Sequence, residues 1–120
     1  GHDGSLSTGH ANSTEDMLSR LETMVLQGAA GLPLDAIRHQ IGSAIDIIIH
    51  LSRLRDKSRK TMEITEVIGY KNGEILLNPL YVFEEDENST LEKVSGSLVR
   101  TENPLHNDFK LKLAGIKVEI

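Results

Sequence analysis

The chain has 120 residues, a net charge of −5 and only 3% aromatic residues. Its length allows one domain or part of a larger one, and its acidic balance argues against a general nucleic-acid-binding surface, which needs clustered cations. The absence of cysteine excludes disulfide and thiolate chemistry and fits a reducing cytoplasm. The longest apolar run, around residues 47–49, is too short to span a bilayer.

Two helices are predicted in the first half, after a Gly- and Ser-rich segment in which Leu6 suggests a short strand. Ser13 is a good helix N-cap with Asp16 three residues later, which predicts a helix over 13–27. Its inner face would carry Met17, Leu18, Leu21, Met24 and Val25. Pro33 fits the first turn of a second helix over 33–44.

Strands are predicted after the helices. Residues 45–51 are rich in isoleucine, which favours a buried strand. The basic run, which is expected to form a loop or hairpin turn, comprises Arg53, Arg55, Lys57, Arg59 and Lys60. Strands over 61–70 and 75–83 flank Asn72-Gly73, a strong signal for a two-residue hairpin.

The last third of the chain is predicted to be more irregular. Pro79 indicates either an edge position or a bulge in its strand. Residues 84–87 read as an acidic loop and 94–100 as another strand. Pro104 would open a final helical segment, and Gly115 would end it.

The chemistry of the first thirteen residues leaves several alternatives open. His2, Asp3 and His10 could bind a metal ion, but they are few and match no known ligand spacing. A serine nucleophile would need an acid and an oxyanion hole, and the sequence marks neither. A plain surface loop is the simplest alternative, although histidine can both donate to an anion and titrate near neutrality.

The same segment carries a recognisable motif, G-H-x-G-S-x-x-T-x-H-A. The matching residues are Gly1, His2, Gly4, Ser5, Thr8, His10 and Ala11. This pattern resembles the His box of the type II/type IV secretion and pilus-assembly ATPase superfamily. Further segments resemble its CpaF-like, tight-adherence (Flp) pilus branch: 19–24, 37–38, 44–46, 52–56 and 64–67. The likeness extends to about Glu85, weakens through 86–96 and returns near Pro104, Phe109 and Gly115.

The resemblance implies an α/β fold, the C-terminal part of a RecA-like P-loop NTPase core with an appended antiparallel β-hairpin. Residues 1–13 would be the His box, 13–52 the helices and core strand, 53–85 the basic loop and hairpin, and 86–120 a C-terminal extension. The parent protein would be a cytoplasmic ATPase, peripheral to the inner membrane, that powers protein secretion or type IV/Flp pilus assembly. It would use ATP and Mg²⁺, form a homohexamer and dock on an inner-membrane platform protein, with no nucleic-acid partner.

Residue roles follow from the same resemblance. His10 would face the terminal phosphate of the nucleotide, while His2, Thr8 and Ser5 would shape the segment around it. Arg53 and Arg55 would reach a nucleotide across a subunit boundary, unless they pair with Asp56, Glu63 or Glu66. Surface or packing roles are expected for the remaining candidates: ion pairs for Arg20 and Arg38, and ordinary contacts for His39, His50 and His106.

Two elements of an ATPase are missing from the sequence: the phosphate-binding loop, and an acidic residue at the end of an upstream hydrophobic strand to hold Mg²⁺. No G-x-x-x-x-G-K-[ST] loop is present to cradle phosphates, and the chain starts inside the motif without an initiator methionine. We therefore expect an excised fragment that hydrolyses no ATP, binds no cofactor by itself and dimerises through an exposed apolar edge. The alternatives are a conjugation or DNA-transfer ATPase fragment, a non-catalytic interaction module that docks through the hairpin, and a metallohydrolase.

Overall fold

The computed structural model describes residues 4–28 and 31–117, which form three helices and one four-stranded sheet. In chain order the elements are α1 (Thr14–Gly28), α2 (Leu34–Ala44), β1 (Ile47–Arg53), β2 (Arg59–Lys71), β3 (Glu74–Glu85), β4 (Gly96–Arg100) and α3 (Phe109–Leu113). The sheet order is β1-β2-β3-β4, and every neighbouring pair is antiparallel. The mixed α/β class is confirmed, whereas the RecA-like core stays a prediction.

The two long helices cover one face of the sheet. Leu18 of α1 packs with Ile37 and Ile41 of α2, and this cluster contacts Ile48 and Leu77 on the strands. Both helices lie within one or two residues of their predicted bounds. Of the inner face predicted for α1, Leu18, Leu21 and Val25 reach the core, because burial of such a stripe is what stabilises a short helix. The prediction is wrong for Met17 and Met24, which lie outside the core cluster, and Met24 is 60% exposed.

Both hairpin turns follow local backbone chemistry. Asn72 and Gly73 have positive φ angles of 53° and 83°, as a two-residue type I′ turn requires, so the predicted hairpin is confirmed. The predicted basic loop is shorter than expected. Arg53 ends β1, and Arg59 begins β2, since antiparallel pairing continues up to the Arg53–Arg59 pair.

The prediction that residues 45–51 form a fully buried strand is wrong. β1 is an edge strand of the described sheet, and Ile47, Ile49 and Leu51 are 43%, 56% and 62% exposed. Only the alternate face, which carries Ile48, meets the helices. A run of β-branched residues favours an extended backbone, but it does not determine which faces of the strand are covered.

Pro79 lies at a β-bulge, as one of the two alternatives predicted. Thr65 pairs with Pro79 and Ile64 pairs with Tyr81, so Leu80 is the extra residue. The edge alternative also holds locally, because β4 pairs only with residues 81–85 of β3 and leaves Pro79 outside that ladder. The bulge lets the strand accept a residue that has no N–H to donate.

Smaller corrections fall at the ends of elements. Residues 4–12 form no strand, and Leu6 is fully exposed. Glu84 and Glu85 belong to β3 rather than to an acidic loop, because they pair with β4. The predicted ending at Gly115 is confirmed, since its φ is 75° and the Ile116 N–H donates to the Leu111 carbonyl at 2.9 Å.

A buried carboxylate fixes residues 104–107, which we call the C-terminal strap, to the sheet. Glu66 is 1% exposed and accepts hydrogen bonds from the Asn78 Nδ2 at 3.0 Å, the His106 N–H at 2.9 Å and the Asn107 N–H at 2.7 Å. Burial raises the pKa of Glu66, but the donations from His106, Asn78 and Asn107 together outweigh it, and the net pKa is lowered. The carboxylate is therefore charged at neutral pH.

Candidate functional site

The second histidine of the motif lies in a groove between the N-terminal loop and α1. The groove has a volume of about 690 Å³. We call it the His10 groove, and its lining residues are Ser7, Thr8, Gly9, His10, Met17, Ser19, Arg20, Leu21, Thr23 and Met24. The structure thus brings His10 and Thr8, two of the predicted site residues, to one surface.

A glycine allows the loop to lie close to the helix. A Cβ atom at Gly9 would stand 2.7 Å from the Met17 Cε and 2.9 Å from its Sδ, so a larger residue would displace the Met17 side chain. The adjacent His10 is exposed and available to a ligand. Gly9 therefore has a packing role that its position within the motif did not reveal.

The exit of the loop is fixed by the cap of α1. The Asp16 N–H donates to the Ser13 Oγ at 3.0 Å, which confirms Ser13 as the cap. The Asp16 Oδ2 accepts the Asn12 N–H at 2.9 Å. These contacts hold the backbone two residues after His10 in a defined position relative to the helix.

The same Asp16 oxygen contacts an arginine of the groove. The Arg20 Nε lies 3.3 Å from the Asp16 Oδ2, one helical turn away, which confirms the ion pair predicted for Arg20. The Asn12 N–H contributes most to lowering the pKa of Asp16, burial opposes it, and the hydrogen bond and charge of Arg20 each lower the pKa by a smaller amount. Asp16 is thus a charged link between the loop and Arg20.

The His10 groove differs in charge from a second concavity beside α1. The second one, of about 550 Å³, contains Glu15, Glu22 and Glu74 together with Arg38. No carboxylate lines the His10 groove within the described residues. The described lining of the His10 groove therefore lacks the negative side chains that the second concavity carries.

Arg53 and Arg55, the two arginines predicted to reach a nucleotide, do not line the His10 groove. The Arg55 Nη1 lies 2.5 Å from the Glu85 Oε1, and its Nη2 donates to the Thr90 carbonyl at 2.7 Å. The alternative partners predicted for Arg55, namely Asp56, Glu63 and Glu66, are wrong. Glu85 lies 30 residues away along the chain, so local spacing gave no signal for it.

Asp56 has a structural contact of its own. Its carboxylate accepts the Ser58 Oγ at 2.5 Å, the Val94 N–H at 2.8 Å and the Ser58 N–H at 2.9 Å. The Ser58 side chain contributes most to lowering the pKa of Asp56 to about 2, followed by the Val94 N–H. Asp56 and Arg55 together fasten the β1–β2 turn to residues 85–94.

The other singled-out residues have ordinary contacts. Arg38 pairs with Glu22 at 2.9 Å, as predicted. His39 packs edge-on against Tyr70 with 5.7 Å between ring centroids, and His106 is exposed. His2 and Asp3 lie outside the described residues, and within the described ranges no three His, Asp or Glu side chains are grouped to hold a metal ion.

Sequence analysis missed Arg20 as a member of the site, because it assigned this residue to an ion pair alone. The available signal was the spacing of Asp16 and Arg20, one helical turn apart and directly after the loop. An ion pair at i,i+4 next to a helix cap directs the guanidinium along the first turns of the helix.

Comparison with known proteins identifies the family. Residues 1–100 match the family described as "Type II/IV secretion system protein", and the chain belongs to that family. It is also similar to the conjugal transfer protein TrbB of Rhizobium radiobacter, with 30% identity over 86 residues. That match covers 72% of this chain and only 25% of the length of TrbB. Within the described ranges, no helix is both long and apolar enough to cross a membrane.

Proposed function

We propose that this chain is the C-terminal portion of an ATPase that powers protein secretion or type IV/Flp pilus assembly, with His10 contacting the terminal phosphate of ATP. The observation that carries the proposal is the exposed His10 in a groove without carboxylates, in a chain of the type II/IV secretion family. A neutral or charged imidazole can donate a hydrogen bond to phosphate and respond to its loss.

The residues of the groove fit a phosphate group. His10 and Arg20 supply nitrogen donors, and Ser7 and Thr8 supply hydroxyl groups, whereas the Thr23 hydroxyl already donates to the Ser19 carbonyl at 3.2 Å. Mg²⁺ prefers carboxylate and phosphate oxygens, so the metal ion would be held by the nucleotide and by acidic residues elsewhere in the parent protein. ATP and Mg²⁺, a RecA-like core and a phosphate-binding loop therefore belong to the parent ATPase in this proposal.

The resemblance to the tight-adherence branch leads us to propose pilus assembly as the branch of function. The parent would be a cytoplasmic homohexamer on an inner-membrane platform protein, without a nucleic-acid partner. A conjugation ATPase is the second candidate, because the similar protein TrbB is described as a conjugal transfer protein. An identity of 30% over a quarter of TrbB supports the superfamily and not a branch.

Arg53 remains our candidate for contact with a nucleotide across a subunit boundary, because it is an exposed cation at the end of β1. Arg55 is the weaker candidate, since Glu85 and the Thr90 carbonyl already occupy its guanidinium. We expect Arg53→Gln to lower the turnover of the assembled ring and to leave monomeric folding unchanged. Turnover equal to that of the unsubstituted ring would remove Arg53 from the site.

The free edge of β1 supports self-association of this chain. Ile47, Ile49 and Leu51 expose apolar side chains along an edge strand, an arrangement that favours pairing with a second copy. We expect the Ile49→Lys variant to elute from a sizing column as a monomer at concentrations where the unsubstituted chain is dimeric. A monomeric unsubstituted chain would contradict this part of the proposal.

The role of His10 is tested by turnover in the longer ATPase that supplies the phosphate-binding loop. Loss of one preorganised donor costs roughly 10²-fold in kcat, so we expect His10→Ala to lower kcat by about that factor. His39→Ala is the matched control, because His39 is exposed on α2 and contacts Tyr70. Equal turnover of the His10 and His39 variants would overturn the assignment.

The chain alone is expected to release no phosphate from ATP. It has no G-x-x-x-x-G-K-[ST] loop to bind the β- and γ-phosphates. A colorimetric phosphate assay should therefore give the same signal with and without the chain. Clear turnover that survives repurification and is lost in His10→Ala would show that the chain needs no further segment.

A further inference from the structure

We propose that Arg20 is a second phosphate-binding residue of the His10 groove and that Asp16 is the positioning residue that aligns it. The inference rests on the proposed function, since the ligand is the terminal phosphate that His10 would contact. It goes beyond the motif, because Arg20 lies on α1 and outside the G-H-x-G-S-x-x-T-x-H-A pattern.

The guanidinium of Arg20 carries N–H donors that its described contact with Asp16 does not use. A guanidinium carries five N–H groups in a planar fork. The described contact of Arg20 uses only its Nε, which lies 3.3 Å from the Asp16 Oδ2. The side chain is 56% exposed and lines the same groove as His10. Both Nη groups can therefore meet phosphate oxygens in a two-point contact.

Arg38, on α2, is an arginine whose guanidinium is engaged at two of its nitrogens. Its Nε donates to the Glu22 Oε1 at 2.9 Å, and its Nη1 donates to the Gly73 carbonyl at 3.3 Å. Its concavity also contains Glu15 and Glu74, which repel anions. Arg20 has one acidic neighbour held beside its Nε, and its groove has no carboxylate among the described lining residues. Only the Arg20 side of α1 suits an anion.

Asp16 contacts both Arg20 and the N-terminal loop. One oxygen, Oδ2, accepts both the Asn12 N–H and the Arg20 Nε–H. A phosphate that contacts Arg20 and His10 together would bridge the helix and the loop at two points. Asp16 fixes the spacing of these two points before the ligand arrives, which reduces the ordering that binding requires.

The test is a titration of the labelled chain with sodium tripolyphosphate, followed by NMR at an ionic strength held constant with sodium chloride. We expect the Arg20 Nε–H and the His10 ring signals to shift with one shared Kd. Because a charge-assisted hydrogen bond contributes on the order of one tenfold step in affinity, Arg20→Gln should raise that Kd about tenfold. Arg38→Gln should change it less than about twofold, and its spectrum controls for folding.

The Asp16→Asn variant separates positioning from direct binding. It keeps an oxygen that can accept the Asn12 N–H but removes the charge beside Arg20. We expect a smaller rise in the Kd, about threefold, with the Arg20 signal still shifting at saturation. A loss as large as that of Arg20→Gln would show that Asp16 does more than position the arginine, and an unchanged Kd would remove it from the proposal.

The outcomes distinguish this inference from the proposed function. If the His10 ring shifts while the Arg20 signal and the Arg20→Gln affinity stay unchanged, the inference is overturned and the role of His10 stands. If Arg20 responds and His10 does not, Arg20 binds phosphate but the role of His10 fails. If neither signal moves up to about 50 mM tripolyphosphate, where even a very weak site with a Kd above 1 mM would fill, the inference is overturned.

Discussion

The N-terminal loop, residues 4–13, and the C-terminal strap are both irregular segments, yet they are held in different ways. The described hydrogen bonds of the loop involve only Asn12 and Ser13, and every side chain from residue 4 to residue 10 is exposed. The strap is fixed by the buried Glu66 and by Asn78, whose Nδ2 also donates to the Pro104 carbonyl at 2.8 Å. The loop leaves its side chains exposed, where the proposed ligand would meet them, whereas the strap completes the fold.

This difference separates two kinds of charged residue in one small chain. The charged Glu66 carboxylate accepts the His106 and Asn107 N–H groups. Replacing Glu66 should therefore lower the free energy of unfolding. None of the described hydrogen bonds of the loop involves His10. Replacing His10 should therefore weaken ligand binding and leave the free energy of unfolding unchanged. The predictions below test that separation.

The largest effect is expected for Glu66→Leu. The substitution removes the acceptor of the His106 and Asn107 N–H groups and one of the two acceptors of the Asn78 amide, and the acceptor itself lies in a buried position. We expect the free energy of unfolding to fall by about 3 kcal/mol, measured by urea denaturation followed by circular dichroism. Glu74→Leu, at an exposed position of the hairpin, is the control and should change it by less than about 0.5 kcal/mol. Similar losses in both variants would contradict the role of the strap.

A pH titration examines the same carboxylate without changing its shape. The pKa of Glu66 is lowered from 4.5 in the folded state, so its contribution is fully present above pH 4.5 and is lost as the pH falls through the lowered value. We therefore expect stability to decline on the acid side, and Glu66→Gln to flatten that decline. The measurement is urea unfolding between about pH 3 and 7, since the unperturbed pKa of glutamate lies near 4.3. A decline of equal steepness in the variant would assign it to other groups.

Asp56 should act in a lower pH window. Its pKa of about 2 in the fold, against 3.8 for the free side chain, makes its contribution complete above pH 3.8 and lost as the pH falls toward 2. Asp56→Asn should therefore lower stability at neutral pH and weaken its dependence on pH below 3.8. Ser97→Ala, an exposed position of β4, serves as the control. An Asp56 variant with the acid profile of the unsubstituted chain would show that the turn does not depend on this carboxylate.

The smallest effect is expected in the loop. Leu6 is fully exposed and touches no core cluster, so Leu6→Ser should change the free energy of unfolding by less than about 0.5 kcal/mol. Thermal unfolding of the two proteins side by side is sufficient to measure it. A clear loss of stability would mean that the loop is part of the folding unit and that the contrast with the strap is wrong.

Sequence alone predicted the features that short stretches of chain encode. The cap at Ser13 and the Asn72-Gly73 turn depend on neighbours a few residues apart, and each was found where the pattern placed it. The α1 stripe was found in part, since Leu18 packs in the core while Met24 is 60% exposed. The contacts that sequence analysis did not predict join distant residues. Glu66 meets Asn107 across 41 residues, and no periodicity reports a buried carboxylate that receives backbone donors.

The candidate site shows the same division. The motif located His10 and Thr8, and these residues share a groove. Arg20 lines the groove because α1 lies beside the loop, a contact that the sequence did not show. Arg55 lies elsewhere and pairs with Glu85 of β3. The exposure of β1 also depends on what packs against it. Its run of isoleucines looks the same in sequence whether one face of the strand or both faces are covered.

The most direct test compares the affinities of a non-hydrolysable ATP analogue and ADP in the longer ATPase, with and without His10→Ala. If the imidazole contacts the outermost phosphate, the variant should bind the triphosphate about tenfold more weakly and bind ADP with unchanged affinity. Equal losses for both nucleotides, or no loss for either, would contradict contact between His10 and that phosphate.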